Sequence, residues 1–163
     1  MTAAPSRAHQ DIGGDLYYQI HGFFRKHPRL RTYEAPFDVR FPAYPDQPDV
    51  DIKDVVQPDV CLCDVARTDD KGCRGAPEWI IEVLSSRTKK KDLQIKRDLY
   101  QLHGVPLYWI VHPRKRTVLY LELKDSRYAG DAEARMARGR IEVQQYAGLV
   151  IDWDDVFDRL VHD

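Results

Sequence analysis

The sequence predicts a mixed α/β (α+β) fold, a sheet carrying a helix on at least one face. Two observations carry this expectation: the periodic segments run in the order helix, strands, helix, strands, and 163 residues that are 43% apolar can bury a core without disulfides or a structural metal. One domain spanning 1–163 is expected.

Ser6 to about His27 reads as an amphipathic helix, because Ile12, Leu16, Ile20, Phe23 and Phe24 recur at near-helical spacing and His27-Pro28 ends it. Arg31 to Phe41 reads as a strand, followed by a proline-rich loop from Pro42 to Pro48. Asp54 to Asp64 and Glu78 to Leu84 read as two more strands joined by a polar loop, Ala66 to Ala76. Thr88 to His103 is a second helix stopped by Gly104. Leu107 to His112 and Thr117 to Lys124 form a hairpin around Pro113 to Arg116. A further hairpin, around Tyr128 and then Arg140 to Tyr146, leads to a short acidic-capped segment from Asp152 to Leu160.

Apolar runs such as Leu107 to Val111 are far too short to span a bilayer. Met1 to Gln10 has no apolar stretch resembling a secretory signal, so a cytoplasmic location and reduced cysteines are expected. The 25 basic and 26 acidic residues nearly cancel, which removes any whole-protein attraction to nucleic acid and leaves only local patches. Such patches exist. Acids dominate from Asp46 to Asp70, whereas Arg87, Lys89, Lys90, Lys91, Lys96 and Arg97 gather around Asp92.

Two acids sit inside apolar strands: Asp59 among Val55, Val56, Val60 and Leu62, and Glu82 among Ile80, Ile81, Val83 and Leu84. A charge there costs several kcal/mol unless compensated. If the two strands pair antiparallel about Asp70 and Lys71, residue 59 falls opposite residue 82 and the two side chains share one face at about 5 Å. Carboxylates so close call for a shared proton or a bound hard cation such as Mg²⁺, unless one ends its strand at the surface or each pairs with an Arg or Lys. The second helix adds Lys89, Lys90 and Lys91 in its first turn, where the helix dipole disfavours basic residues, and such a conflict often marks a functional site. Helix N-termini bind phosphate, and ammonium groups add to the attraction. Lys96 and Tyr100 lie one turn apart on one helix face.

The runs Pro58 to Val60 and Pro77 to Pro113, with Ser6, His9, Ala35 to Val39 and Val56 to Asp59, resemble the Uma-two family of restriction-endonuclease-like proteins within the PD-(D/E)XK nuclease superfamily. That resemblance implies a restriction-endonuclease-like core, a mixed and mostly antiparallel sheet flanked by helices. It implies that Asp59 and Glu82 bind Mg²⁺ or Mn²⁺. The superfamily's usual lysine follows the glutamate by two residues; Leu84 stands there, and Lys96 on the helix matches the lysine that replaces it in this family, with Tyr100 a turn later. His9 matches a family position near the first helix, as a supporting residue. His112 and Ser86 depart from the family pattern, which commonly has an acid and a proline there.

The implied activity is metal-dependent hydrolysis of phosphodiester bonds in DNA, with Asp59, Glu82 and Lys96 catalytic and Arg87, Lys89, Lys90 and Lys91 on the flanking phosphates. The alternative is a catalytically silent nuclease-like fold that binds nucleic acid or a protein. A homodimer would supply two sites for two cuts in a duplex. Cys61, Cys63 and Cys73 lack the paired spacing of a zinc site and read as core, and core packing or a dimer contact explains Trp79, Trp109 and Trp153 better than base stacking.

Overall fold

The computed structural model describes residues 6–86, 88, 90–130 and 133–158. Helix α1 (Arg7–Phe24) starts at Ser6, whose hydroxyl accepts the His9 amide at 3.3 Å, and buries Ile12, Leu16, Ile20 and Phe24 along one stripe. Pro28 follows its end, and the His27 Nδ1 atom accepts the amides of Arg29 and Leu30, turning the chain into β1 (Leu30–Glu34).

Two expected strands are each cut in two by a proline. Pro36 has no N–H to offer a ladder, so the 31–41 segment divides into β1 and β2 (Val39–Phe41). Pro58 likewise divides 54–64 into β3 (Asp54–Val56) and β4 (Val60–Asp64). The expected polar loop contains a hairpin of very short strands, β5 (Thr68–Asp69) and β6 (Gly72–Arg74). These pieces form a small sheet in the order β3-β2-β6-β5. Arg40 of β2 is itself buried, donating to Asp49 at 2.5 Å and Asp69 at 2.6 Å, so its charge is matched by two carboxylates that reach solvent. Gly72 has φ +116°, and a Cβ there would meet the Asp38 carbonyl oxygen at 2.1 Å, so the hairpin requires glycine.

The main sheet runs β1-β4-β7-β8-β9-β10, with β11 also on β9; here β7 is Trp79–Val83, β8 Leu107–His112, β9 Thr117–Lys124, β10 Arg127–Gly130 and β11 Arg135–Met136. Neighbours are antiparallel except β7 and β8, which run parallel because helix α2 (Lys90–Leu102) carries the chain between them. The second expected hairpin resolves differently: β10 folds back on β9, while β12 (Arg140–Glu142) pairs with β13 (Val150–Asp152), and α3 (Trp153–Asp158) follows.

Side chains alternate across the main sheet. One face carries Val60, Leu62, Trp79, Ile81, Trp109 and Val111 against α1, α3 and Trp153. The other carries Cys61, Cys63, Ile80, Tyr108 and Ile110 with Tyr100 of α2. The three tryptophans are core, as expected. Cys61 and Cys63 are buried with sulfurs 3.7 Å apart, and no group of three His, Cys, Asp or Glu able to hold a metal occurs among the described residues. Among those residues no helix is long and apolar enough to cross a membrane.

Leu16 is fully buried in the middle of the α1 stripe. Leu16→Ala should lower the unfolding free energy by about 2–5 kcal/mol, measured by urea denaturation; a loss under about 1 kcal/mol would show that α1 contributes little to the core.

Candidate functional site

Strands β4 and β7 pair Val60 with Ile81, Cys61 with Ile80 and Leu62 with Trp79. Continued by one residue, this register sets Asp59 opposite Glu82, as the sequence predicts. Both stand at the end where β4 begins and β7 finishes, and the alternation of β7 turns Glu82 toward the α2 side with Ile80.

Asp59 lies in the short gap after Pro58, outside the ladder. Its Oδ2 accepts the Val83 amide at 2.7 Å and lies 3.2 Å from Nε2 of His9. The main-chain carbonyl of Asp59 accepts the Ala35 amide at 3.1 Å, which fixes the gap against the turn after β1. Helix α1 packs on the opposite face of the sheet, yet its first turn reaches past the strand ends to bring His9 to the same carboxylate.

Glu82 is buried, and its Oε1 accepts from Lys96 Nζ at 2.8 Å and from the Tyr100 hydroxyl at 2.6 Å. Lys96 and Tyr100, one turn apart on α2, thus grip one oxygen. Leu93 and Leu99 pack the same helix against the core on this face. Tyr100 is fully buried, whereas the Lys96 side chain is 37% exposed, so one partner anchors Glu82 and the other opens to solvent.

Burial raises the Glu82 pKa above the usual carboxylate range, and the charge of Asp59 pushes the same way, against the opposing pull of Lys96 and Tyr100. The hydrogen bond to Asp59 raises the His9 pKa, with the charges of Asp59 and Glu82 acting in the same direction and burial against them. Burial, then Glu82, pushes the Tyr100 phenol up, so it stays a donor at neutral pH.

Of the residues singled out in the sequence, Asp59, Glu82, Lys96, Tyr100 and His9 come together here. Lys90 and Lys91 are exposed in the first turn of α2. Arg87 and Lys89 lie outside the described residues. The Ser85 amide donates to Thr88 Oγ1 at 3.0 Å and the Ser85 carbonyl accepts the Thr88 amide at 3.1 Å, a turn that leads into α2. The Val83 amide could not be anticipated, because a main-chain donor leaves no mark in the sequence. Tyr108 is a second omission. It is fully buried against Tyr100, its ring centroid 4.9 Å away, and its hydroxyl has no hydrogen-bond partner among the described residues.

A mixed sheet that gathers two carboxylates and a lysine at its strand ends defines the class of fold. Residues 1–136 match the Uma2 family, described as putative restriction endonuclease, and the chain belongs to that family. The fold is similar to that of a putative nuclease belonging to DUF820 from Anabaena variabilis ATCC 29413, with a TM-score of 0.72 and 18% identity over 98% of this chain and 85% of that one. No curated protein matches the sequence.

A carboxyl group whose pKa is raised by folding binds protons more tightly in the native state, so its contribution to stability is full below the unfolded value of 4.5 and is lost as pH rises through the folded one. The stability of the wild type relative to Glu82→Gln should therefore fall as pH rises above about 4.5, measured by urea unfolding across a pH series. A difference that stays flat or grows with pH would contradict the raised pKa.

Proposed function

We propose that the protein is a Mg²⁺- or Mn²⁺-dependent endonuclease that hydrolyses phosphodiester bonds in DNA. The observation that carries the reading is that Asp59, just before β4 and held by the Val83 amide, stands beside Glu82 of β7, with Lys96 on Glu82. The family description and the structural neighbour's name support the nuclease class.

The donor set fits a hard ion. Asp59 and Glu82 offer carboxylate oxygens alone, and Mg²⁺ is commonly held by one or two carboxylates plus waters and substrate phosphate. A structural zinc centre takes four protein ligands, more than are gathered here. When bound, the ion lowers the pKa of a water and neutralises charge on the phosphate.

The chain's own residues supply the rest. Lys96, partly exposed beside Glu82, places a positive charge where the pentavalent phosphate develops negative charge. Tyr100 fixes the Glu82 carboxylate, and the Val83 amide with His9 fixes that of Asp59. Lys90 and Lys91, with Arg87 and Lys89 in the same run, hold flanking phosphates and position the strand without reading its sequence. A homodimer would place two such sites on one duplex.

A second reading, a nucleic-acid-binding module without cleavage, draws on a specific feature: each acid already has a basic neighbour, His9 for Asp59 and Lys96 for Glu82. Calorimetry with Mn²⁺ separates the two. Heat of binding that disappears in Asp59→Asn is expected of the enzyme, and no heat is expected of the binding module. In a plasmid-nicking assay with Mg²⁺, Lys96→Ala should cut about 10²-fold more slowly or worse. Wild-type cutting by that variant would remove Lys96 from the chemistry.

A further inference from the structure

The β8–β9 turn, read in the sequence only as a turn, stands at the same end of the sheet as the carboxylates. Strand β8 runs parallel to β7 with Val83 opposite Val111, and the Leu84 amide donates to the Val111 carbonyl at 2.8 Å. The chain then passes through His112 into Pro113, Arg114, Lys115 and Arg116. Val83, whose amide holds Asp59, is thus one strand spacing from the residue that leads into this turn.

The connection β7-α2-β8 makes this placement unavoidable. Helix α2 starts where β7 ends, and the parallel strand β8 ends at that same edge, so the first turn of α2 and the β8–β9 turn both border the strand ends. One brings Lys90 and Lys91, the other Arg114 and Lys115, and all four are exposed.

The turn is built rather than loose. The Lys115 amide donates to His112 Nδ1 at 3.3 Å and the Arg116 amide to the Pro113 carbonyl at 3.2 Å. Arg116 adopts φ 50° and pairs with Asp158 at 3.5 Å, so its charge is spent within the fold. Arg114 and Lys115 have no carboxylate partner among the described residues. Burial first, and then the positive charges of Lys115 and Arg114, lower the pKa of His112, consistent with a local excess of positive charge.

We infer that Arg114 and Lys115 form a second phosphate-binding wall, so that the nucleic-acid backbone is held between this turn and the first turn of α2 as it crosses Asp59 and Glu82. This rests on the nuclease reading above and extends its hold on the substrate to a second element. Basic side chains on two elements bordering one carboxylate site suit a polyanion, whose charge the acids alone would repel.

The test is the salt dependence of binding of the protein to a labelled DNA duplex without divalent metal, followed by fluorescence anisotropy. The double variant Arg114→Ser/Lys115→Ser should lower the slope of log affinity against log salt by about 1.8, roughly 0.9 for each phosphate no longer neutralised, as should Lys90→Ser/Lys91→Ser. Arg114→Lys/Lys115→Arg should keep the wild-type slope, and circular dichroism melting should match the wild type in every variant. A slope reduced by the helix variant but not by the turn variant would overturn the second wall and leave the nuclease reading standing. A wild-type protein that fails to bind the duplex at low salt would overturn both.

Discussion

The arrangement turns on one electrostatic constraint: a glutamate is buried in the sheet within reach of a second carboxylate. Burial and the charge of Asp59 both disfavour the ionised form of Glu82, and neighbouring groups oppose them. Helix α2 supplies the compensation on Glu82, with an ammonium and a phenol on one oxygen. On Asp59 the compensation comes from a main-chain amide and from a histidine on a helix of the opposite face. Helices α1 and α2 and strand β7 therefore converge on two side chains, held in place by the two cores of the sheet. Trp79, Ile81 and Val83 of β7 pack toward α1 while Ile80 and Glu82 face α2, so the strand that holds the acid also joins the two cores.

The site is only partly closed on itself. Tyr100 is wholly buried and remains a donor, whereas the Lys96 side chain and the first turn of α2 reach solvent. That asymmetry fits the nuclease proposed above, in which the buried phenol would hold the carboxylate and the accessible ammonium would face the phosphate. The prolines contribute to the same end. Pro58 lies between β3 and β4, and Asp59 after it stands outside the ladder with its side chain on the Val83 amide.

Much of this is legible in the residues themselves. The β4–β7 register follows from the symmetry of two apolar runs about their connecting segment, and the Lys96–Tyr100 face follows from helical spacing. The family resemblance points to Asp59, Glu82, Lys96 and Tyr100 as well, and adds His9. What the sequence hides has identifiable causes. Pro36 and Pro58 fall inside runs whose composition is that of strands, although each removes a ladder donor and so splits one strand between two sheets. The β5–β6 hairpin is two to three residues a strand, too short for alternation to register, and its only marks are Gly72 and an Arg40 whose acidic partners Asp49 and Asp69 are distant in sequence. The pairing of β11 with β9, and of β12 with β13, depends on neighbours outside any local pattern.

The most direct measurement is anomalous diffraction at the manganese edge from crystals of the wild-type protein equilibrated with Mn²⁺. A single peak between the carboxyl groups of Asp59 and Glu82 is the expected result. Saturated crystals with no peak between those acids, and with Lys96 and His9 still paired to them, would contradict a metal-dependent site.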